Sequence, residues 1–91
     1  MSRTEQLAAV LDTAAAQPLA EMLRERLTEN EPLLLDGSAV DQIGQACLQV
    51  LLGAQSTANS RGLVLTISKP SGPMRNMVTL VGCADLLAKE D

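Results

Sequence analysis

Two short apolar runs, each closed by turn residues, restrict the fold of this chain more than any other feature. Leu33-Leu34-Leu35 ends at Asp36-Gly37-Ser38, and the run Leu63 to Ile67 ends at Lys69-Pro70-Ser71-Gly72-Pro73. A strand with one face in water alternates apolar and polar residues. A run without that alternation is favoured where both faces are buried, as at the centre of a parallel sheet. Parallel neighbours cannot be joined by a tight turn and need a crossover, usually a helix.

The segments around the two runs carry helical patterns of the right length. Leu19, Met22, Leu23 and Leu27 recur at i, i+3, i+4 and i+8, one stripe of a first helix. Pro18 suits the first turn of that helix, where a missing N–H costs nothing. Arg24 and Arg26 complement the carbonyl end of its dipole, and Asn30-Glu31-Pro32 stops it. A second helix is expected from Gly44 to Ala58. Cys47, Val50, Leu51 and Ala54 lie on one side, Leu48 and Leu52 widen the stripe, and Gly62 ends it. Ser71 is the expected N-cap of a third helix, with Pro73 in its first turn and Met74, Met77, Val78 and Val81 on one face. Gly82 ends that helix, and Leu86 and Leu87 are expected to pack back as a short terminal segment. Gln6 to Leu11 reads as an entering strand ending at Asp12, and Ala39 to Ile43 as a short crossover.

The order strand, helix, strand, helix, strand, helix predicts an α/β fold, with a mostly parallel central sheet and helices packed on it. With no repeat, linker or low-complexity stretch, residues 1–91 read as a single domain. Such folds place functional groups at the carboxyl ends of strands and the helix N-termini that follow, which directs attention to Asp36 through Ala46.

Composition then removes whole classes of function. The chain has no Phe, Tyr or Trp, so it has no rings on which single-stranded nucleic acid would stack. Its net charge of −4 opposes DNA and anionic membrane surfaces, and no apolar run is long enough to span a bilayer. It has no histidine, the commonest general base and transition-metal ligand, so neither a metal site nor a cofactor is expected. Cys47 and Cys83 lack CxxC spacing and follow no secretory signal. They read as small buried hydrophobes in a cytoplasmic protein.

The segment Leu33 to Leu52, LLLDGSAVDQIGQACLQVLL, resembles the core of STAS domains, the modules of bacterial anti-sigma factor antagonists and of related transporter and signalling subunits. The family pattern is a buried strand ending in Asp, a Ser two residues on and then an apolar residue. An Asp-Ser/Thr-x-Gly turn follows and opens a helix. Asp36, Ser38 and Val40 match the first part, and Leu48 and Leu51 match the helix. Leu11-Asp12 resembles the strand end before the family's first helix. Ser71-Gly72-Pro73-Met74 through Val81-Gly82 resembles its last helix and the corner after it.

One departure stands out. The turn reads Gly44-Gln45-Ala46-Cys47, so Gly44 replaces the family's Asp, Gln45 occupies the phospho-acceptor position and Cys47 replaces the Gly. On one reading, Gly44 and Ala46 are small residues at a helix start, and Gln45 is a solvated side chain. On the other, the surface still docks a partner without phosphate control, since no hydroxyl lies within the turn. Ser38 reads as a turn-capping hydroxyl rather than a phosphosite.

What the resemblance implies is a non-enzymatic protein-interaction module in bacterial signalling, anti-sigma antagonist-like or chemotaxis-associated. Its partner-binding residues would be Ser38, Asp41, Gln42, Gly44, Gln45, Ala46 and Gln49. The partner by analogy is a histidine-kinase-like ATPase or anti-sigma kinase. The alternative is a STAS accessory subunit of a phospholipid-trafficking ABC transporter. A third reading, an enzyme with Cys47 as nucleophile, lacks a histidine base.

Overall fold

The computed structural model describes residues 3–82, so Cys83 and the expected terminal segment of Leu86 and Leu87 lie outside the described residues. Three strands, β1 (Arg3–Gln6), β3 (Leu33–Asp36) and β5 (Leu65–Ser68), form a parallel sheet in the order β1-β3-β5. Register pairs Glu5 with Leu35 and Leu35 with Ile67, which puts β3 at the centre. Two further strands, β2 (Val10–Leu11) and β4 (Gln42–Ile43), pair parallel as a separate two-stranded ladder. Three helices, α1 (Thr13–Leu27), α2 (Gln45–Ser60) and α3 (Gly72–Leu80), complete the α/β fold.

Burial corrects the expectation of two-sided strands. In β3, Leu33 and Leu35 are buried while Leu34 is half-buried. In β5, Leu65 and Ile67 are buried and Thr66 is half-buried. Among the described residues only one face of the sheet is fully closed over. Leu63 is half-buried and Val64 is exposed, so β5 begins two residues later than the apolar run. The buried face meets Leu19, Leu23 and Leu27 of α1 and Leu48 and Leu51 of α2 in one core cluster.

The start of the chain also differs from expectation. The first strand lies at Arg3–Gln6, before the apolar run, and Leu7 to Ala9 form no strand. As an edge strand β1 pairs on one side only, and its Glu5 is held by Arg26 of α1 at 2.9 Å. A polar strand is stable there because its partner in the fold is an ion pair. Leu7 and Leu11 are buried from irregular and β2 backbone respectively. Ala39 to Ile43, read as a plain crossover, contains β4. The backbone N–H groups of Asp41 and Gln42 donate to the Ala9 carbonyl, and that of Gly44 donates to Leu11.

Pro18 is inside α1 and not in its first turn. The helix starts earlier because Asp12 is a strong N-cap, its Oδ1 accepting from the Ala15 N–H at 3.2 Å, and Ala14 to Ala16 favour the helix. A proline at this depth has no N–H to donate to the Ala14 carbonyl. Pro18→Ala is therefore expected to raise stability by about 1–3 kcal/mol, read as a higher midpoint in thermal denaturation. An unchanged or lower midpoint would show that the exposed ring contributes packing that offsets the lost bond.

The remaining helix boundaries match the sequence. Gly44 is the N-cap of α2, and Gly62 follows its end at a φ of +73°, a left-handed conformation that glycine adopts without strain. The Ser71 hydroxyl caps α3 by accepting from the Met74 N–H at 3.2 Å, and Met74 and Val78 are its buried residues.

Candidate docking surface

Helix N-termini and strand ends converge at one end of the molecule, and hydrogen bonds fix how they meet. The buried Cys47 thiol in the first turn of α2 donates to the Asp12 carbonyl at 3.3 Å, which joins the N-termini of α1 and α2. At the other end, Nη1 of Arg61 donates to the Leu27 carbonyl, the last of α1, at 3.1 Å. The two helices therefore lie side by side and run in the same direction. Burial and the nearby Asp12 charge push the Cys47 thiol above its ordinary pKa. A protonated, enclosed thiol is a poor nucleophile, and this Cys47 serves packing and the link to Asp12.

The turn after β3 is built on Asp36 and Gly37. The Ser38 backbone N–H donates to Asp36 Oδ1 at 2.9 Å. Hydrogen bonding from the Ser38 hydroxyl, then from its backbone N–H, with a further contribution from Lys69, holds the Asp36 carboxyl below its usual range. Ser38 thus supports the turn, and its side chain remains exposed at the rim. Gly37 is buried between this turn and the start of α3. Its N–H donates to the Ser68 carbonyl, and its carbonyl accepts from Ser71 at 3.0 Å and from Val40 at 3.3 Å.

The residues singled out by sequence fall as follows. Asp41 and Gln42 are exposed on the segment that pairs with β2, while Ile43 between Gln42 and Gly44 is buried. Gln45 and Gln49 are exposed and lie one turn apart on α2, so they share a face. Gly44 and Ala46 are half-buried. Gly44 has an extended backbone at φ −104°, and a Cβ there would meet only the Leu11 carbonyl at 3.8 Å. The backbone does not require glycine, and an aspartate at this position would fit. Ser38 is on the Asp36 turn, before both β4 and α2 in the chain.

Asp12, expected only as a strand end, has two further roles: its carbonyl lies against the first turn of α2 and its side chain caps α1. Its signal was present: Asp before Thr13 and a run of alanines is an N-cap pattern. Among the described residues no group of His, Cys, Asp or Glu is arranged to hold a metal ion, and no helix is long and apolar enough to cross a membrane.

A parallel sheet flanked by helices, with helix N-termini gathered at the strand ends, makes this an α/β domain. The family model described as "Mlab, STAS domain" matches residues 5–88, and the chain belongs to the STAS domain family. The solved structure described as "NMR Structure of the protein TM1081" is similar in fold, with a TM-score of 0.82 at 15% identity. The match covers 99% of this chain and 74% of that one. No curated protein matches the chain in sequence. STAS domains are in general non-enzymatic modules for protein interaction.

Proposed function

We propose that this protein is a non-enzymatic docking module in a bacterial signalling pathway, binding a partner protein through Ser38, Asp41, Gln42, Gly44, Gln45, Ala46 and Gln49. The observation that carries the reading is the exposed first turn of α2, where Gln45 projects beside two small, half-buried residues. Small residues let a partner's backbone approach closely, and the neutral amide resembles an unphosphorylated acceptor. Phosphorylation would add about −1.5 to −2 charges to such a surface. Residues 45–48 contain no hydroxyl that could receive a phosphate. Docking is therefore constitutive at this position. By analogy with the family, the partner is a histidine-kinase-like ATPase or an anti-sigma kinase in the cytoplasm, with chemotaxis signalling as one setting.

The missing hydroxyl also favours a second reading. A dock that cannot be switched suits a permanently assembled subunit, such as an accessory protein on the ATPase of a phospholipid-trafficking ABC transporter. Co-purification separates the two, because only the accessory subunit should follow an ABC ATPase.

Gln45→Glu tests the surface itself. A carboxylate at a helix N-terminus is favoured by the dipole, so the melting temperature should hold or rise slightly. Binding should weaken by a few kcal/mol, because the new charge is desolvated at the interface without a counter-charge. Quantitative co-purification from the native host, with melting of the same variant, reads both effects. Unchanged recovery of the partner by Gln45→Glu would place the docking surface elsewhere.

A further inference from the structure

A second candidate site lies away from the strand ends, in a groove of about 460 Å³ between α1 and α2. Its apolar floor includes Leu23, Val50 and Ala54, and its C-terminal end carries Arg24 and Arg61. The chain has 11 acidic and 7 basic residues, yet two of the cations line this groove and no carboxylate does. Arg24 also lines a separate depression on α1 together with Glu21, Glu25 and Thr28. One N–H of Arg61 is engaged by the Leu27 carbonyl, which anchors the guanidinium and leaves its other donors available.

Gly53 is the second observation. It sits inside α2, where glycine is less favourable than alanine by about 0.5–1 kcal/mol, and a Cβ built on it would meet nothing within 4 Å. Neither the backbone nor packing within the chain calls for glycine here. Its effect is to keep the groove wide. A space of this volume is within the range of small-molecule sites.

We infer that this groove binds a single-tailed amphipathic anion, with the tail along Leu23, Val50 and Ala54 and the acidic head between Arg24 and Arg61. Guanidinium groups donate paired, charge-assisted hydrogen bonds to carboxylate and phosphate alike, and that acidic chemistry is what the groove selects. The inference is independent of the docking surface at the start of α2.

The experiment is a titration of the full chain by NMR with laurate and, in parallel, with dodecyl phosphate, both below their micellar concentrations. Saturable shifts are expected at Val50, Gly53 and Ala54, and the tighter of the two probes identifies the head group. Dodecanol, with the same twelve-carbon chain but no charge, should bind about tenfold more weakly, as should Arg24→Gln or Arg61→Gln, each loss being that of a charge-assisted contact. Gly53→Leu should abolish binding by filling the groove while leaving the melting temperature equal or higher, so a loss cannot be attributed to unfolding. Absence of saturable shifts with both probes would overturn the inference. So would binding that Gly53→Leu and both arginine variants leave intact, or dodecanol binding as tight as laurate.

Discussion

Leu35→Asp is expected to unfold the protein at ambient temperature. Leu35 is 0% exposed on the central strand, between Glu5 of β1 and Ile67 of β5 in register, and belongs to the core shared with α1 and α2. Its replacement buries a carboxylate with no counter-charge, one of the few mechanisms that cost about 4 kcal/mol or more. A 91-residue domain stands near the low end of the roughly 5–15 kcal/mol typical of folded proteins, so a loss of this size leaves it largely unfolded. Leu34→Asp should cost far less, because Leu34 is half-buried on the opposite face and its carboxylate can reach water. Urea denaturation followed by circular dichroism measures both. Equal losses at the two positions would contradict the one-sided burial of the sheet.

Gly37→Val is expected to destabilise by about 1–3 kcal/mol through overpacking. A Cβ at this position falls 2.7 Å from Met74 Sδ, 3.1 Å from Ile67 Cγ2 and 3.3 Å from Pro70 Cα. Met74 and Ile67 are both fully buried, so neither side chain can move without shifting its neighbours in the core. The backbone of Gly37 cannot retreat either, since Ser68, Val40 and Ser71 all hydrogen-bond to it. The tightest contact is with a flexible side chain, which makes the clash partly relievable. In a double-mutant cycle, Met74→Ala should therefore cost less in the Gly37→Val background than in the wild type. Strict additivity would mean that the strain arises from Ile67 or the Pro70 backbone instead.

The elements legible in the sequence are those whose local chemistry and tertiary role agree. Leu33 to Leu35 ended by Asp36-Gly37-Ser38 is a strand in the fold, and Ser71 with Pro73 starts α3 as its cap chemistry requires. Gly44 and Gly62 bracket α2 closely. The failures have separate physical causes. β1 reads as polar because it is an edge strand whose Glu5 is satisfied by Arg26 on a distant helix, and no local pattern encodes that pair. β2 and β4 are two residues each, too short to display a period. Pro18 misled because proline marks helix starts on average, whereas here the Asp12 cap and three alanines outweigh the lost hydrogen bond.

The candidate surface was legible only in part. Spacing after Asp36 located the α2 start, and Gln45 and Gln49 are exposed on one face of it. The approach of the α1 N-terminus through Asp12 and Cys47 depends on two helices running side by side, which no single segment of sequence contains. The α1–α2 groove was missed for the same reason: Arg24 and Arg61 are far apart in sequence and meet only in the fold.

Site-specific photo-cross-linking in the native host tests the central claim most directly. A benzophenone side chain is placed at position 45 or 49, on the first turns of α2, and as a control at position 21 on the exposed outer side of α1. The account predicts one discrete adduct of defined mass from positions 45 and 49, retained when the cells are shifted in salt or growth phase, and none from position 21. An adduct from position 21 with none from 45 or 49 would contradict it.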